Sequence, residues 1–552
     1  MKYFSLLLFF SLYLNSQNTV GVITNESGVF NGYTLFTPNT SKKTYLINNC
    51  GEIVHQWNST SNPGNSVYLL ESGNLLRAGK VSNPDISFGG VGGKVEILDW
   101  NSNVIWEYIY STPQVSQHHD IFPLPNGNVL MLAVSTLNEA EAIQAGRNPS
   151  LINQGKLFNE QILELKPNLT SGSTEIVWEW HIKDHLVQDF DSTKSNFGVI
   201  ADNEQLLDIN YLNNNPNGGS ANWLHFNSIQ YNSNLDQIII SSRLMNEIYI
   251  IDHSTTTNEA SSNSGGTYGK GGDFLYRWGN PEAYDHGDID DTKLFGQHFA
   301  HWIPDGFSDA GKVIIFNNGG ARNIDMNNLP INYSSIDIID PPQSSNGVYI
   351  YDENNINGYG PIDSEWNYVN PVDPKNFYSP ILSGAQRLSN GNTLICSGSL
   401  GYFFEIDSNN DIVWEYINPD SSNGIIAQGD IPSANPVFRA TKLPFDYPAF
   451  TGKDLTPRKT IESGTSSQPC SLLTNNSLTF NKSHIFPNPT SNILNIQINK
   501  KIKKLEVYST LGEILIKNYN ENRINLSQLP NGLYIIKIFT DNSSFSQKIL
   551  KH

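Results

Sequence analysis

Three histidines at matching positions along the chain are the residues best able to carry out chemistry. His119, His225 and His298 each lie seven residues before the tip of a predicted β-hairpin, within LPNGN, YNSN and IPDG respectively. In a closed fold built from repeats, matching positions point toward one axis. Imidazoles can act as nucleophiles, as general acids or bases, and as donors to a developing negative charge. The sequence therefore predicts a reaction centre where three imidazoles converge.

An arginine and several amide side chains are predicted beside these histidines. The strand that begins at His225 turns and returns through QIIISSR, and this antiparallel return places Arg243 next to His225. Asn227 lies two residues past His225 and should face the same side of the strand. The equivalent hairpin in the next repeat should place an amide beside His298, from Asn317 or Asn318.

No carboxylate is predicted at the centre of this cluster. Asp120 follows His119, and strand alternation should turn its side chain away from the axis. His301 should likewise face the opposite side of its strand from His298 and pack there. A guanidinium offers a planar fork that matches a sulfate- or phosphate-like oxyanion. The residue types therefore favour transfer of a sulfuryl or phosphoryl group, with one imidazole attacking it and another protonating the leaving oxygen.

Two other uses of the same cluster stay open at this point. Three neutral imidazoles can hold Zn, Cu or Fe, which would make the chain a His-metal lyase or oxidoreductase. The guanidinium of Arg243 argues against a metal because it would repel a divalent cation, and we predict neither a metal nor a cofactor. A non-enzymatic glycan-binding or adhesion protein is the second alternative. The acidic run at 284–291 lacks the spacing of a calcium loop and should be solvated.

Six copies of a four-stranded unit must position these side chains. Each copy contains an apolar strand that ends in tryptophan: Trp57, Trp106, Trp178, Trp278, Trp366 and Trp414. Another strand precedes each tryptophan strand, and a hairpin with a turn of the Asn-Gly or Asp-Gly kind follows it. Repeated units of four short strands are typical of propeller blades. The sequence therefore predicts an all-β chain in which residues 18–451 form a catalytic, six-bladed β-propeller, closed by a strand at 32–39.

The two ends of the chain differ in composition from the predicted propeller. Residues 1–17 contain one lysine followed by a short apolar run, which is the pattern of a signal peptide. Residues 452–482 are polar and rich in Ser and Thr, which indicates a linker. Residues 483–552 contain four strand-like runs, too few for a set of blades, and should form a small β-sandwich domain.

Charge and cysteine content narrow the partners and the compartment. The formal charge of −19 makes nucleic acid and anionic membrane surfaces poor partners. No segment after the N-terminal run is apolar for long enough to span a membrane, so the mature chain should be exported and soluble. If a disulfide forms, it should join Cys50 and Cys470, because Cys396 lies within an apolar strand.

The segments that carry these residues resemble the bacterial arylsulfate sulfotransferases. The matching segments are HHDIFPLPNGNVL, WLHFNSIQYN, IISSR, RWGNP followed by LFGQHFAHWIPDG, IFNNG and SGAQRLSNGNTL. The resemblance covers about residues 33–445. It implies a six-bladed propeller that moves a sulfuryl group from a phenolic sulfate ester to another phenol through a sulfohistidine, in a ping-pong cycle that uses neither PAPS nor any other cofactor. A hydrolase of sulfate esters is the nearest variant.

The resemblance implies a role for each residue that matches a motif of the family. His298, in the QH pair, would be the nucleophile. His225 and Asn227, together with Arg243, would hold the sulfuryl oxygens. His119 of the HHD segment would be the general acid and base or a further contact to these oxygens.

Three further residues are expected to contact the substrate: His118, Asn317 and Asn318. His118 breaks the seven-residue register of the other histidines and is the weaker member of its pair. The chain also departs from the best-known members of the family, because it has no sizeable N-terminal β domain and no cysteine pair near the nucleophile. These departures bear on substrate choice and assembly more than on the chemistry.

The C-terminal region is similar to the type A sorting domains of the type IX secretion system. The segments that carry this likeness are IFPNPTSNILNI, LEVYSTLGEIL, LPNGLYIIKI and QKILKH. Such tails occur in the Bacteroidetes phylum and direct cargo across the outer membrane. The similarity implies that the type IX machinery is a partner and that the chain is secreted or held at the cell surface.

Overall fold

The structure, a computed structural model, describes residues 18–211, 220–324, 330–355, 358–464, 484–486, 488, 490–497, 501–509, 514–540 and 544–551. The predicted signal peptide and residues 465–482 of the predicted linker lie outside them. The chain divides into two compact units, Met1–Thr474 and Asn475–His552. Strands account for 45% of the structure and helices for 7%, which confirms the all-β prediction.

Six antiparallel sheets of four or five strands form the described part of the first unit. Sheet 1 contains, in spatial order, Val437–Pro444, Gly32–Pro38, Lys43–Ile47 and Ile53–Asn58. Sheet 2 contains Pro63–Leu69, Leu75–Lys80, Gly93–Leu98 and Val104–Ile109. Sheet 3 contains Ser111–Thr112, Val115–Pro123, Val129–Asn138, Lys156–Pro167 and Thr174–His181.

The remaining three sheets follow the same pattern. Sheet 4 contains Phe226–Asn232, Gln237–Ser242, Glu247–Asp252 and Tyr276–Trp278. Sheet 5 contains His298–Trp302, Val313–Asn317, Ser335–Ile339 and Trp366–Tyr368. Sheet 6 contains Gly384–Arg387, Thr393–Ser397, Tyr402–Ile406, Ile412–Ile417 and Gly21–Asn25.

One strand of each sheet, its inner strand, contacts the inner strands of the two neighbouring sheets. The inner strands are Val437–Pro444, Pro63–Leu69, Val115–Pro123, Phe226–Asn232, His298–Trp302 and Gly384–Arg387. The last of these contacts the first, so the inner strands form a closed ring. This is the propeller class that the sequence predicts. Gly32–Pro38 closes it as expected by pairing with Val437–Pro444, and Gly21–Asn25 adds an unpredicted second closure on Ile412–Ile417.

The repeated tryptophans hold neighbouring sheets together. The indole Nε1 of Trp106 in sheet 2 donates to Thr174 Oγ1 in sheet 3. The indole Nε1 of Trp414 in sheet 6 donates to the carbonyl oxygen of Asn49, which follows a strand of sheet 1. Each of these indoles is buried and uses its single polar atom to bond the next sheet, because an unpaired donor would be costly there.

The inner strands share an irregularity near their beginnings. Register shifts interrupt the pairing of five of them. Left-handed backbone, which is uncommon outside glycine, occurs at or close to this point in five sheets, at Asn65, His119, His225, Phe299 and Ser383. A β-bulge of this kind re-aims side chains and breaks the alternation of a strand. Side-chain directions predicted from alternation therefore do not carry across these positions.

The connections between the strands of the larger sheets, and between the sheets themselves, contain short strands and helices. The paired short strands are Leu186–Val187 with Leu207–Asp208, Asn323–Ile324 with Pro330–Ile331, Gln343–Ser345 with Val348–Tyr349, and Asp420–Ser421 with Gly424–Ile425. The α-helices are Glu139–Gln144 and Thr257–Ala260. The 3-10 helices are Pro149–Leu151, Ile182–Asp184, Ile200–Asp202, Pro281–Tyr284, Ile289–Asp291, Pro374–Asn376, Gly398–Leu400 and Pro448–Phe450.

The second unit contains two sheets around one apolar core. Its first sheet contains His484–Phe486, Ile493–Gln497 and Arg523–Asn525. Its second sheet contains Ile514–Tyr519, Ile502–Tyr508, Gly532–Thr540 and Ser544–Lys551. Leu494 of the first sheet shares the core with Leu505 and Ile536 of the second. The two sheets therefore pack face to face, as in a β-sandwich.

Two cysteines fall within the described residues. Cys396 is free and buried in sheet 6, as expected for a small apolar side chain. Cys50 is disulfide-bonded; Cys470, its predicted partner, lies outside the described residues. Among the described residues, helices are too short or too polar to cross a membrane.

Candidate active site

The inner strands of sheets 3, 4 and 5 bring three imidazoles into one cluster. The rings of His119 and His225 lie 4.6 Å apart, centroid to centroid, at a steep angle. His298 is close enough to act electrostatically on both. The side chains of His119 and His298 are buried, and that of His225 is partly exposed. Burial and the neighbouring positive charge hold the pKa of His119 and of His225 well below the ordinary value. The cluster is therefore neutral at physiological pH.

His298 is held in one tautomer by its neighbour Asn318. The ring Nδ1 lies 2.8 Å from Asn318 Oδ1, and the Asn318 amide nitrogen donates to the carbonyl oxygens of Ser379, at 2.7 Å, and Leu382, at 3.1 Å. Because the Asn318 nitrogen is used in these two bonds, it is the Asn318 oxygen that faces His298. This oxygen can only accept a hydrogen bond, so Nδ1 of His298 carries the ring proton and Nε2 carries the lone pair. Burial, followed by the charge of Arg243, lowers the pKa of His298 to about 3. A neutral imidazole with a free Nε2 is a nucleophile.

His225 is held in the opposite tautomer. Its Nδ1 lies 2.7 Å from the side-chain nitrogen of Asn222, which donates to it. The proton of the neutral ring must then reside on Nε2, which makes this atom a donor. Asn222 was not predicted from the sequence, where its only signal is its position three residues before a predicted site histidine.

Arg243 supplies a positive charge beside the imidazoles. Its backbone nitrogen donates to the carbonyl oxygen of His225 at 3.2 Å, as the antiparallel return predicts. Its side-chain Nε is buried and has no hydrogen-bond partner. Among the described residues, no carboxylate pairs with the guanidinium, and the pKa of Arg243 is lowered by burial with only Tyr378 acting to raise it. This charge is therefore available to an anion.

His118 lies between two protein side chains, and its predicted contact with substrate stays a prediction. Its Nδ1 lies 3.0 Å from Nδ1 of His119, and its Nε2 lies 2.8 Å from Oε2 of Glu160. The other oxygen of Glu160 accepts from the backbone nitrogen of Phe226 at 3.0 Å. Both ring nitrogens of His118 thus lie close to protein groups, although only Nδ1 forms a hydrogen bond. Glu160 belongs to a different strand of sheet 3, and no sequence spacing connects it with the histidines.

The three predicted amide residues have different places. Asn318 flanks His298, as described above, whereas Asn317 does not. The Asn317 side chain donates to Asp337 Oδ2 and to the carbonyl oxygen of Lys293, and its own oxygen accepts from the nitrogen of Phe295. Because all of these bonds are to protein groups, Asn317 positions the backbone before His298 and leaves no group for a substrate.

Asn227 lies against the residue that precedes the nucleophile candidate. Its amide nitrogen donates to the carbonyl oxygen of Gln297 at 2.7 Å, and its buried oxygen has no hydrogen-bond partner. The second hydrogen of the amide nitrogen is not accounted for by this bond. Asn227 can therefore position the inner strand of sheet 5 and still donate to a bound oxygen.

Asp120 points into the ring, which corrects the prediction that it faces away. Its carboxylate bonds Arg439 of sheet 1 at 2.9 Å and accepts from Tyr68 of sheet 2 and from the backbone nitrogen of Ile229 in sheet 4. The left-handed backbone at His119 breaks the alternation on which the prediction rested. Because Arg439 neutralises it, this carboxylate forms a cross-link between sheets and leaves the charge of Arg243 unopposed.

His301 is buried apart from the three clustered imidazoles. Its ring packs on Phe299 at 4.3 Å between centroids, and its Nδ1 lies 3.4 Å from the Phe299 carbonyl oxygen. The Phe299 ring in turn lies 3.7 Å from the guanidinium carbon of Arg439. Burial lowers the pKa of His301 to about 3. His301 is therefore a neutral packing residue, as expected. It packs toward the ion pair of Asp120 and Arg439.

A glycine-rich loop covers the cluster on one side. The Phe88 ring lies 5.4 Å from the ring of His118 and 5.8 Å from that of His225. At Gly90, which has φ of +92°, an added Cβ would overlap Nε2 of His119, and the carbonyl oxygen of Gly90 accepts from the His119 backbone nitrogen at 2.7 Å. The segment FGGVGG is the signal in the sequence that could have indicated this close approach.

The acidic run at 284–291 is a separate feature. Asp288 caps the 3-10 helix Ile289–Asp291, and most of the run is exposed or half-buried. Among the described residues, no group of three or more His, Cys, Asp or Glu side chains has the arrangement of a metal site.

Two family models match the chain. The model of the arylsulfotransferase (ASST) family matches residues 22–439, which include every clustered imidazole and Arg243. The model of the secretion system C-terminal sorting domain matches residues 484–552. The second match indicates export by the type IX system to a secreted or cell-surface location. No curated protein matches the chain.

Several solved structures match the chain at low identity. A protein of unknown function from Bacteroides caccae is 11% identical with a TM-score of 0.39, over 75% of this chain and 99% of that one. A streptogramin B lyase is 13% identical with a TM-score of 0.34, over 78% and 96%. Virginiamycin B lyase from Staphylococcus aureus is 12% identical with a TM-score of 0.31, over 76% and 98%. These scores are too low to bear on function.

Proposed function

The chain belongs to the arylsulfotransferase family, and from this premise we propose that it transfers a sulfuryl group between phenolic oxygens through a covalent intermediate on His298. The donor is a phenolic sulfate ester and the acceptor a second phenol. The reaction follows a ping-pong cycle and needs neither PAPS nor another cofactor. An arylsulfotransferase-type activity follows from the family, whereas the steps below rest on the geometry of the cluster.

The observation that carries the proposal is the unpaired guanidinium of Arg243 beside three neutral imidazoles. A sulfate ester brings a negative charge, and a chain with a formal charge of −19 needs a local positive group to hold it. The fork of a guanidinium matches two oxygens of a tetrahedral anion. Nε2–H of His225 supplies a further donor to the same group. The cluster therefore suits an oxyanion more closely than a cation.

The first step transfers the sulfuryl group to the protein. Nε2 of His298 attacks sulfur with its lone pair, and the bond between sulfur and the aryl oxygen breaks with its electrons going to that oxygen. Arg243 and His225 stabilise the negative charge on the remaining sulfuryl oxygens during this exchange. His119 gives the proton on its Nε2 to the aryl oxygen and, being neutral, takes up another proton at Nδ1 in the same step, so the first product leaves as a neutral phenol.

The second step reverses the first with a new phenol. The acceptor gives its hydroxyl proton to His119, its oxygen attacks sulfur, and the sulfur–nitrogen bond breaks with its electrons returning to Nε2 of His298. The protein then regains its starting state. Because His298 must carry no proton on Nε2 at the beginning of each cycle, the tautomer that Asn318 enforces is a requirement of this mechanism.

The test is detection of the covalent intermediate on the purified mature protein. With 4-nitrophenyl sulfate and no acceptor, we expect a burst of nitrophenol and a mass increase of one sulfuryl group, which added phenol then removes. His298→Ala should lose both, whereas the control His301→Ala, on the same inner strand, should retain both. Steady release of nitrophenol without acceptor would instead indicate a hydrolase. Absence of any sulfuryl adduct on the wild-type protein would refute the proposal.

A further inference from the structure

We propose that Glu160 and His118 form a relay that stores the catalytic proton. His119 then acts as acid and base while its own ring proton changes from one nitrogen to the other. This inference rests on the transfer reaction proposed above. His118 and Glu160 are positioning residues in this scheme, because they act on the substrate only through His119.

Three side chains form a continuous path toward the cluster. Oε2 of Glu160 lies 2.8 Å from Nε2 of His118, and Nδ1 of His118 lies 3.0 Å from Nδ1 of His119. Nε2 of His119 then remains for the substrate. The two Nδ1 atoms form a hydrogen bond. The carboxylate lies at ion-pair distance from His118 without forming a hydrogen bond to it, so it acts on His118 through its charge. The path resembles the arrangement of a carboxylate, an imidazole and a reacting group in many hydrolytic enzymes, with a second imidazole in the last place.

The buried carboxylate of Glu160 indicates which side chain stores the proton of the relay. Glu160 is 1% exposed and His118 is fully buried. Among the described residues, no lysine or arginine pairs with Glu160, whose remaining bond is to the backbone nitrogen of Phe226. A carboxylate buried in this way requires a positive partner. His118 is the side chain in place to supply it, as an imidazolium.

His119 itself is a poor site for a positive charge. Burial, followed by the proximity of His225, His118, His298 and Arg243, keeps the pKa of His119 well below the ordinary value of an imidazole. A general acid that becomes an imidazolium would be disfavoured at this position. An imidazole that accepts a proton at one nitrogen while it releases a proton from the other stays neutral and avoids this cost.

The proton movements of the relay balance over one cycle. At rest His118 carries protons on both nitrogens, and His119 carries one on Nε2. When the aryl oxygen leaves, it takes the Nε2 proton of His119, and the Nδ1 proton of His118 moves to Nδ1 of His119. The acceptor phenol later gives its proton to Nε2 of His119, and the Nδ1 proton returns to His118. No step requires an oxidant, a reductant or a cofactor.

The experiment compares two donors that differ in leaving group. A general acid matters most when the leaving oxygen is basic, so the relay contributes more to cleavage of phenyl sulfate than of 4-nitrophenyl sulfate. In Glu160→Gln we expect the burst with phenyl sulfate to slow on the order of 10²-fold, while the burst with 4-nitrophenyl sulfate changes little. His118→Gln should show the same selective loss, and it decides the question if Glu160→Gln does not fold.

A matched control is available on the same strand. Glu164 is also a buried carboxylate beside a histidine, with Oε2 lying 3.0 Å from Nε2 of His253, and it is remote from the cluster. Glu164→Gln should change the burst rates of the two donors by the same factor. Selective loss in Glu160→Gln but not in Glu164→Gln thus separates a relay from a structural carboxylate.

The pH profile of the burst provides a second readout. The groups that face His118 and His119 are Glu160, His225, His298 and Arg243. Glu160→Gln removes the negative charge that faces the relay, so the alkaline limb of the profile measured with phenyl sulfate should move to lower pH. The relay would be overturned if Glu160→Gln left the alkaline limb of the pH profile in place and lowered the burst rates of both donors by the same factor. Absence of a sulfuryl adduct on the wild-type protein would instead refute the proposed transfer reaction. Failure of the relay and failure of the transfer reaction therefore give different results.

Discussion

At the scale of single residues, Arg243 and Asn318 prepare the site by different means. Arg243 contributes charge, because its guanidinium has no carboxylate partner among the described residues. Asn318 contributes direction, because its amide nitrogen is engaged by two backbone carbonyls and its oxygen faces His298. One residue therefore attracts the anion and the other sets the nitrogen that attacks it. Both effects are present before a substrate binds, which limits reorganisation during reaction.

Replacing Arg243 should separate catalysis from stability. We expect Arg243→Ala to lower turnover of 4-nitrophenyl sulfate by at least about 10²-fold, the loss seen when one oxyanion donor is removed. Arg243→Lys should recover only part of this loss, because an ammonium lacks the planar fork. The melting temperature should stay near the wild-type value in both variants, since the guanidinium makes no ion pair. A collapsed melting transition, or full activity in Arg243→Ala, would contradict this account.

At the scale of elements, the loop at Phe88–Gly90 brings the backbone directly onto the cluster. It connects the second and third strands of sheet 2, and it contacts the histidines of sheets 3 and 4. Gly90 is required for two reasons, its positive φ and the proximity of its Cα to Nε2 of His119. The second reason is specific to the site, because the atom in question is the one proposed to exchange a proton with substrate.

Alanine substitutions at two glycines can separate the effect of positive φ from the effect of proximity to His119. Gly90→Ala and Gly127→Ala both place a Cβ at positive φ, +92° and +87°, but Gly127 has open space around it. Each variant should lose about 1 kcal/mol of unfolding free energy from the strained backbone. Only Gly90→Ala should also slow formation of the sulfuryl adduct, because its methyl group displaces His119. Equal adduct rates in the two variants, measured by quenched-flow mass spectrometry, would show that the loop does not position His119.

The sequence predicted which strands hold the site residues better than it predicted the contacts between their side chains. The seven-residue spacing located the histidines on matching inner strands, and the hairpin return placed Arg243 beside His225. Alternation then failed at Asp120, because the backbone at His119 is left-handed, a feature that no composition rule signals for histidine. Glu160 and Asn222 were not predicted, since they reach the cluster from a different strand and from a loop. Contacts of this kind depend on the register between elements.

At the scale of the whole molecule, the carboxylate of Asp120 joins four sheets across the ring. It belongs to sheet 3, pairs with Arg439 of sheet 1, and accepts from Tyr68 of sheet 2 and the backbone of sheet 4. Asp120 is fully buried, and Arg439 is 8% exposed. An ion pair removed from water contributes little net free energy when both partners are present, but loss of one partner leaves an uncompensated charge. We therefore expect the pair to act mainly on the specificity of ring assembly.

A double-mutant cycle tests this role. We expect Arg439→Met to lower the free energy of unfolding by about 3–5 kcal/mol, because Asp120 is left buried without its cation. Asp120→Asn removes the negative charge but keeps only one acceptor oxygen, so it can keep the bond from Tyr68 or the bond from the Ile229 backbone, not both. Combined with Arg439→Met it should recover part of the loss, since no isolated charge then remains. Denaturant unfolding of the four proteins gives the coupling free energy. If the double variant is as unstable as the sum of the single variants, the two side chains act independently, and the ring is held by the packing between its sheets alone.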